Sequence, residues 1–332
     1  MTTTPLAITM GDPAGIGPEL LLKAWRVRQT QHLPAFFAFA DQALLMRRAQ
    51  ALGLEIAFET ATPETASAIF ARALPVAPLT HETNAVAGQP DPANAPAIID
   101  SIERAVACVA QGLARGVVTN PIAKSVLYAA GFAHPGHTEF LGELATRHYS
   151  GNYRAVMMLW AEELAVVPIT IHIPLIDAPK KLTCELIIET GVIVAHDLAT
   201  RFGITKPRLA FSGLNPHAGE DGALGREEID VMATALAALR DRGIYTRGPF
   251  PADTMFHATA RAGYDVALCP THDQALIPIK TLAFDRGVNV TLGLPFVRTS
   301  PDHGTAFDIA DKGVADPTSL IEAIRLADRM TK

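Results

Sequence analysis

The chain has 332 residues, of which 49% are apolar and 19% charged, and its formal net charge is −6. This length fits two domains of ordinary size or one large α/β domain, and no apolar run approaches the roughly 18–20 residues that a membrane span needs. The acidic balance excludes the basic surface typical of nucleic-acid or membrane binding. Three scattered cysteines argue against a disulfide framework. The N-terminal segment lacks the basic region of a secretory signal, so we expect a soluble, cytoplasmic protein.

Short apolar runs alternate with longer segments of helical period, which is the pattern of βαβ units around a mostly parallel sheet. Residues 61–96, rich in Thr, Pro and Ala, are predicted to form loops and short elements. A helix is predicted after Glu227-Glu228 and ends at Gly243; its buried face holds Ile229, Met232, Leu236 and Leu239. Eight runs are predicted to be strands: Leu6–Met10, Ala35–Ala40, Val117–Thr119, Ala155–Leu159, Leu164–Ile171, Arg208–Phe211, Asp265–Cys269 and Asn289–Leu292.

The first predicted strand leads into a glycine-rich turn from Gly11 to Gly17 and then a helix, with Pro18 near its first position. The turn lacks the Gly-Lys-Ser/Thr ending of a Walker loop, and Leu20 stands where the Rossmann fingerprint needs its third glycine. These residues leave open both a phosphate-binding loop and a tight βα turn.

Another helix opens with polar residues at Gly136–Gly142. The start of a helix offers free backbone N–H groups and a positive dipole end to an anion. Thr138 is interpreted as an N-cap or as part of such an anion site. His137 can hydrogen-bond a phosphate or carry a proton in a chemical step.

Three histidines each follow a predicted buried strand: His172, His217 and His272. In open α/β sheets, ligands bind beyond the carboxyl ends of the strands, so these imidazoles are placed to converge on one divalent metal. Three histidine ligands leave a coordination position open, as in catalytic metal sites. A surface or capping role is the alternative for each histidine taken singly.

Lys280, Asn289 and Arg298 follow the third histidine at nine-residue intervals. Basic residues in an acidic chain are usually solvated, but Arg298 stands in an apolar, turn-rich setting where an unpaired guanidinium is costly, which favours a buried anionic partner. Asp253 is interpreted most simply as a helix N-cap.

Seven sequence blocks stand in order along nearly the whole chain: TMGDPAGIGPE at 9–19, VTNPIAK at 118–124, GHTEFLGELA at 136–145, SGLNPHAGEDG at 212–222, GPFPADTMF at 248–256, HDQALIPIK at 272–280 and GVNVTLGLPFVRTSPDHGTAFDIA at 287–310. Together they resemble the 4-hydroxythreonine-4-phosphate dehydrogenase family of pyridoxal phosphate biosynthesis. So many blocks in one order argue strongly against a chance match. Thr271 departs from the family pattern, in which many members carry tyrosine, and this bears on substrate preference.

The resemblance implies a two-domain α/β/α fold similar to that of isocitrate and isopropylmalate dehydrogenases, with the active site in the interdomain cleft and at a homodimer interface. The first domain is then discontinuous, formed by 1–128 and 285–332. The second domain, 129–284, carries the dimer interface.

The resemblance also implies residue roles. The metal ligands are His172, His217 and His272, gathered from both subunits, which is the trio selected by strand-end placement. Proton transfer is assigned to His137 or Asp253. The implied substrate contacts are His137, Thr138, Lys280, Asn289 and Arg298.

The implied reaction is the NAD- or NADP-dependent oxidation of 4-phosphooxy-L-threonine to 2-amino-3-oxo-4-phosphooxybutanoate, which decarboxylates to 3-amino-2-oxopropyl phosphate. The residues do not choose NAD or NADP, nor the metal among zinc, cobalt, magnesium and manganese. A paralogue that oxidises D-threonate or D-erythronate 4-phosphate is the closest alternative. A metal-dependent phosphohydrolase and a non-catalytic sensor of phosphorylated metabolites are alternatives of other classes.

Overall fold

A computed structural model describes residues 4–134 and 136–332, which form two compact units. The first unit consists of Met1–Ala155 and Leu294–Lys332, and the second of Val156–Gly293. Each unit has a sheet with helices, so the predicted α/β class is confirmed. None of the helices in the described ranges combines the length and apolar composition needed to cross a membrane.

The first unit has a parallel sheet whose strand order is β3-β4-β2-β1-β5-β12. Its strands are β1 Leu6–Thr9, β2 Phe36–Ala40, β3 Phe58–Thr60, β4 Leu74–Pro78, β5 Val117–Val118 and β12 Arg298–Pro301. Its helices are α1 Gly17–Arg26, α2 Gln42–Ala51, α3 Pro63–Ile69, α4 Ala95–Ala110, α5 Lys124–Ala129, α6 His137–His148 and α12 Thr318–Met330. The runs in β1 and β2 are buried throughout, as expected for a parallel sheet covered on both faces.

The second unit has a mixed sheet with the order β11-β6-β7-β10-β8-β9. Strand β6 pairs antiparallel with β7 and β11, and the remaining pairs are parallel. Its strands are β6 Val156–Ala161, β7 Leu164–Pro168, β8 Arg208–Ser212, β9 Tyr245–Phe250, β10 Val266–Cys269 and β11 Val288–Leu292. Its helices are α7 Ala178–Lys181, α8 Cys184–Arg201, α9 Ala233–Asp241, α10 Ala258–Arg261 and α11 His272–Ala283.

The boundary between the two units differs from the predicted domain boundary. The prediction starts the second domain at residue 129, whereas residues 129–155 belong to the first unit. The reason is that Phe140, Leu141 and Leu144 of α6 lie in the first unit's apolar core. At the other end, residues 285–293 belong to the second unit because β11 pairs with β6.

Four strands lie outside the eight predicted runs: β3, β4, β9 and β12. The segment predicted as loops and short elements contains α3 and β4. Strands β9 and β12 have the sequences YTRGPF and RTSP, which contain no apolar run. They are strands because a parallel neighbour supplies the pairing, β8 for β9 and β5 for β12.

The helix predicted after Glu227 begins with a wider turn of π type, Glu228–Met232, before α9. Met232, Leu236 and Leu239 are buried as predicted. The prediction for Ile229 is wrong, since its side chain is 44% exposed. The π-type turn accounts for this because it shifts the helical register that places residues on one face.

Candidate active site

Two of the three predicted metal ligands come together in the second unit. Beyond the ends of β7 and β10 the chain segments stay paired, because the N–H groups of Ile169 and Thr170 donate to the carbonyls of Cys269 and Pro270 at 2.8 and 3.1 Å. This pairing brings the ring centroids of His172 and His272 to 5.7 Å. The structure therefore places two of the three histidines close together, and their role as metal ligands stays a prediction.

His272 is held by its own helix. It is the first residue of α11, and Thr271 caps that helix, its N–H bonded to the side-chain oxygen of Gln274 at 3.1 Å. The ring Nδ1 of His272 lies 2.8 Å from Oδ1 of Asp273. A hydrogen on Nδ1 then donates to this carboxylate, which leaves the lone pair of Nε2 for a metal, as in carboxylate–histidine–metal arrangements.

His217 lies apart from this pair. Its imidazole is 67% exposed, and Nδ1 is 3.6 Å from the carboxylate of Glu220. Within residues 4–134 and 136–332 no group of three His, Cys, Asp or Glu side chains is placed to hold a metal. One chain therefore brings together two of the three histidines, not all three.

The turn that presents His217 has an unusual backbone. Five consecutive residues, His217 to Asp221, have φ between +44° and +81°, so the segment is a left-handed turn. Only Gly219 among them is a glycine. Each of the other four carries a cost of roughly 1–2 kcal/mol in this conformation, which neighbouring contacts have to offset.

The donor set of the histidine pair fits a divalent transition metal. Imidazole nitrogens suit zinc, cobalt and related ions, and the Asp273 carboxylate supplies the outer hydrogen bond that such ligands usually have. Two imidazoles from one chain leave room for a third ligand. The imidazole of His217 is exposed on its turn.

A cavity of about 660 Å³ in the second unit contains the histidine pair. Asp253 and Asp273 also line it, together with apolar side chains such as Phe256 and Ile277. Asp253 lies inside a short 3₁₀ turn, Ala252–Thr254, whose N-cap is Pro251. The interpretation of Asp253 as an N-cap is therefore wrong, and its carboxylate is on the cavity wall.

Lys280 and Asn289 lie in the same unit. Lys280 is half-buried near the end of α11, with Nζ 5.5 Å from the ring centre of Phe284. Asn289 lies in β11, paired with Leu159 of β6, and is partly exposed. The residues that line the cavity around the histidine pair, within the described chain, do not include either of them.

Arg298 is a buried positive charge in the first unit. It begins β12, is 5% exposed, and donates from Nε and Nη2 to the hydroxyl oxygen of Thr119 at 3.1 and 2.6 Å. Burial lowers the pKa of its guanidinium to about 10, so the group stays protonated at neutral pH. Arg298 is buried, and the anionic partner that its sequence setting favours stays a prediction.

His137 lies beside this guanidinium as the first residue of α6. Its Nδ1 is 3.5 Å from Nη2 of Arg298, and its buried Nε2 has no hydrogen-bond partner among the described residues. Burial, and then the charges of Arg298 and Lys124, hold the pKa of His137 well below its usual value. The imidazole is therefore neutral at pH 7. With Nδ1 as the acceptor, Nε2 carries the hydrogen and is a donor for a ligand.

These groups form a basic cluster at the start of α6, made up of Lys124, His137 and Arg298. A Cβ built on Gly136 would lie 3.3 Å from Nζ of Lys124. The ammonium group of Lys124 therefore also lies at the helix start. Gly136 is the N-cap and Thr138 the second helical residue, so the N-cap interpretation of Thr138 is wrong. A helix start with two cations and an unpaired N–H donor is suited to a phosphate or carboxylate.

The glycine-rich turn at Gly11–Gly17 is explained by close packing. Gly11 has φ +74°, and a Cβ there would lie 2.7 Å from the side chain of Asn120. A Cβ on Gly15 would lie 2.8 Å from the carbonyl oxygen of Thr305. These contacts favour the tight βα turn over a phosphate-binding loop.

The structure adds site residues that the sequence patterns do not single out. Thr119 and Lys124 stand in the block VTNPIAK at 118–124, which carries the resemblance without suggesting a role for either. The contacts of Thr119 with Arg298 join segments 179 residues apart. Spacing along the chain holds no signal for such a pair.

Comparison with known proteins adds independent information. A curated 4-hydroxythreonine-4-phosphate dehydrogenase from Methylorubrum populi is 60% identical over 330 residues, covering 99% of this chain and 95% of the relative. The crystal structure of a 4-hydroxythreonine-4-phosphate dehydrogenase from Klebsiella pneumoniae superposes with a TM-score of 0.86 at 35% identity, covering 99% of this chain and 100% of that one.

A further solved structure carries a different name. A terephthalate 1,2-cis-dihydrodiol dehydrogenase from Burkholderia xenovorans LB400 has a TM-score of 0.65 at 27% identity, covering 98% of this chain and 97% of that one. The profile of the family described as pyridoxal phosphate biosynthetic protein PdxA matches residues 32–327. Both the profile match and the 60% identity extend over most of the chain. The chain belongs to the PdxA family of pyridoxal phosphate biosynthetic proteins.

Proposed function

We propose that this protein catalyses the NAD(P)-dependent oxidation of 4-phosphooxy-L-threonine to 2-amino-3-oxo-4-phosphooxybutanoate, which decarboxylates to 3-amino-2-oxopropyl phosphate. The observation that carries this proposal is the end-to-end identity of 60% with a curated 4-hydroxythreonine-4-phosphate dehydrogenase. The chemistry of the basic cluster and of the histidine pair supports it, because the substrate combines a phosphate with an oxidisable hydroxyl group.

The metal is assigned to three histidines of a homodimer. His172 and His272 of one chain supply two imidazoles, whose rings lie 5.7 Å apart. The third ligand is then the partner subunit's His217. When bound, a divalent ion would supply Lewis acidity at the reacting oxygen, and a nicotinamide would serve as the hydride acceptor. Zinc and cobalt suit imidazole ligands better than magnesium does.

The phosphate of the substrate is assigned to the basic cluster. Arg298 offers a fixed positive charge, because Thr119 fixes the direction of its guanidinium. His137 offers a hydrogen from Nε2, and Thr138 lies at the helix start beside it. A neutral His137 positions the anion instead of supplying a proton. Charge-assisted contacts of this kind place the reacting carbon for hydride transfer.

The remaining assigned residues have supporting roles. Lys280 and Asn289 are proposed to bind the polar groups of the substrate other than its phosphate. Asp253 is the proposed proton acceptor, because its carboxylate is exposed on the wall of the cavity that contains the histidine pair. A carboxylate in that place can take the hydroxyl proton directly or through one water.

The test is an assay of reduced-nicotinamide absorbance with 4-phosphooxy-L-threonine and NAD or NADP, before chelation, after chelation and after metal add-back. Reduction that chelation abolishes and metal restores is the expected result. Turnover of D-threonate or D-erythronate 4-phosphate in its place would assign the protein to a paralogous reaction. Absence of reduction with all three substrates would overturn the dehydrogenase proposal, and release of inorganic phosphate would identify a hydrolase.

A further inference from the structure

One buried acid contacts the left-handed turn that presents His217. Glu228, at the start of the π-type turn, is 4% exposed. Its Oε1 accepts a hydrogen bond from the backbone N–H of Asn215 at 2.8 Å. Its Oε2 accepts a second one from the side-chain amide of the same residue at 3.0 Å. Asn215 is the N-cap of the segment Pro216–Gly222 and lies two residues before His217, the first residue of the left-handed turn. Both oxygens of one buried carboxylate therefore hold a residue just before the left-handed turn.

Two glycines make room for this carboxylate. A Cβ on Gly219 would lie 2.6 Å from Oε2 of Glu228, and a Cβ on Gly213 would lie 3.0 Å from Oε1. Gly219 is inside the left-handed turn and Gly213 precedes it, so the chain wraps closely around the acid. The carboxylate thus contacts the turn at its entry and in its interior.

The same segment is tied to the histidine pair of its own chain. The side-chain amide of Gln274 donates to the carbonyl of Gly213 at 2.9 Å, and Gln274 lies in the first turn of the helix that begins with His272. Movement of the segment that precedes His217 is therefore restrained from two sides, by Glu228 and by Gln274.

We propose that Glu228 is a positioning residue for the metal site, which fixes the left-handed turn so that His217 is presented to a metal. This inference rests on the proposed function, in which His217 is a metal ligand. Glu228 does not contact the metal or the substrate in this proposal. It acts by removing alternative conformations of the turn, so its loss weakens metal binding while leaving the chemical step intact once metal is bound.

The test is Glu228→Gln, which keeps the shape of the side chain but places an N–H donor against the N–H groups of Asn215. The affinity for Co²⁺ is measured by competition with a chromophoric chelator. The value of kcat is measured separately at saturating Co²⁺. We expect binding about 10- to 100-fold weaker, as for other outer contacts of metal ligands, and kcat restored to near the wild-type value by excess metal. The matched control is Asp230→Asn, two residues away in an exposed pair with Arg226, which should bind Co²⁺ normally.

Asn215→Ala provides a second route if Glu228→Gln does not fold, because it removes the amide that donates to Oε2 of Glu228, and with it the bond of the same amide to Oε2 of Glu227. It should also weaken Co²⁺ binding and speed amide hydrogen exchange in residues 213–225 of the metal-free protein. Unchanged Co²⁺ affinity in a folded Glu228→Gln or Asn215→Ala protein would overturn the positioning role. So would a low kcat that excess metal does not restore. His217→Ala tests the ligand assignment separately from the positioning role of Glu228. Unchanged Co²⁺ affinity in that variant would overturn the assignment of His217 as a metal ligand.

Discussion

Arg298 keeps its charge inside the first unit because one hydroxyl satisfies two of its donors. The bonds from Nε and Nη2 to Thr119 fix the plane of the guanidinium. Fixed donors of this kind improve binding because the entropy of ordering them is not lost again when the ligand arrives.

Thr119→Val tests this arrangement, since valine has the same shape but no acceptor for the buried guanidinium. Hydrogen bonds to charged groups contribute about 1.5–3 kcal/mol, so KM for the phosphorylated substrate should rise on the order of 10- to 100-fold, with a smaller change in kcat. Steady-state kinetics measures this split. Thr119→Ser keeps the hydroxyl and should stay close to the wild type. A Thr119→Val enzyme with unchanged KM would contradict the role of Thr119.

His137 makes a prediction about stability and pH. Its pKa is lowered in the folded protein by burial and by neighbouring cations, whereas the unfolded chain has the ordinary value near 6.5. Above that value His137 is neutral in both the folded and the unfolded state, so it contributes nothing to the pH dependence of stability. Below it only the unfolded chain takes up the proton, so folding loses at most about 1.4 kcal/mol per pH unit from this residue. His137→Gln should therefore lose less stability than wild type between pH 7.5 and 5.5 in urea unfolding. Parallel losses in the two proteins would contradict the lowered pKa.

Several single-residue roles were accessible from the sequence and others were not. Strand-end placement correctly brought His172 and His272 together, because the ends of parallel strands meet at one sheet edge. The same pattern does not indicate the sign of the backbone φ angles. It therefore does not predict that His217 stands apart on a left-handed turn. The sequence pattern indicates only that Glu228 stands at a helix start, because its burial depends on contacts with the segment before that helix.

At the scale of elements, helix α8 packs closely on α9 through a glycine. A Cβ built on Gly191 of α8 would lie 2.7 Å from Cδ1 of Leu239, a fully buried residue of α9. Gly142 of α6 is also inside a helix, but its nearest contact would be 3.7 Å away. Close packing between α8 and α9 therefore requires a glycine at position 191, whereas position 142 has room for a Cβ atom.

Alanine at these two positions should change stability in opposite directions. Gly142→Ala gains helix propensity without a clash and should stabilise the protein by about 0.5–1 kcal/mol. Gly191→Ala gains the same propensity but overpacks the contact with Leu239, which costs about 1–3 kcal/mol, so it should destabilise. Urea midpoints of the two variants and the wild type measure the difference. Stabilisation by both variants would contradict the close approach of α8 and α9.

Two of the strands absent from the sequence-based prediction, β9 and β12, share a physical reason. An apolar run marks a strand that buries its side chains, and this rule found β1, β2, β7 and β10. Strand β12 has the polar sequence RTSP and is nevertheless buried throughout, because β5 supplies its backbone pairing and Thr119 the partner for Arg298. Its identity as a strand depends on long-range pairing that no local pattern records.

At the scale of the whole molecule, the histidine arrangement predicts how inactive variants behave when mixed. In a homodimer, each proposed site takes His172 and His272 from one chain and the partner subunit's His217. A heterodimer of His217→Ala and His272→Ala chains then has one intact site of two. With random pairing, about a quarter of the wild-type activity should return.

The matched control is a mixture of His172→Ala and His272→Ala chains. These two histidines lie together on one chain, so no heterodimer of these variants has a complete site, and no activity should return. The two variants are mixed first, then mildly unfolded and refolded together so that the subunits exchange. Equal recovery in both mixtures, or none in either, would contradict a ligand set shared between chains.

If the proposed ligand set is shared between two chains, the separation of His217 from the histidine pair also links metal loading to protein concentration. In the proposed homodimer, a lone chain would offer two imidazoles to a metal and a pair of chains would offer three, so metal binding and association would strengthen each other by the same factor. Newly made protein at low abundance would release its metal readily and then retain it as copies accumulate. Metal supply would in turn set the dilution at which the assembly dissociates.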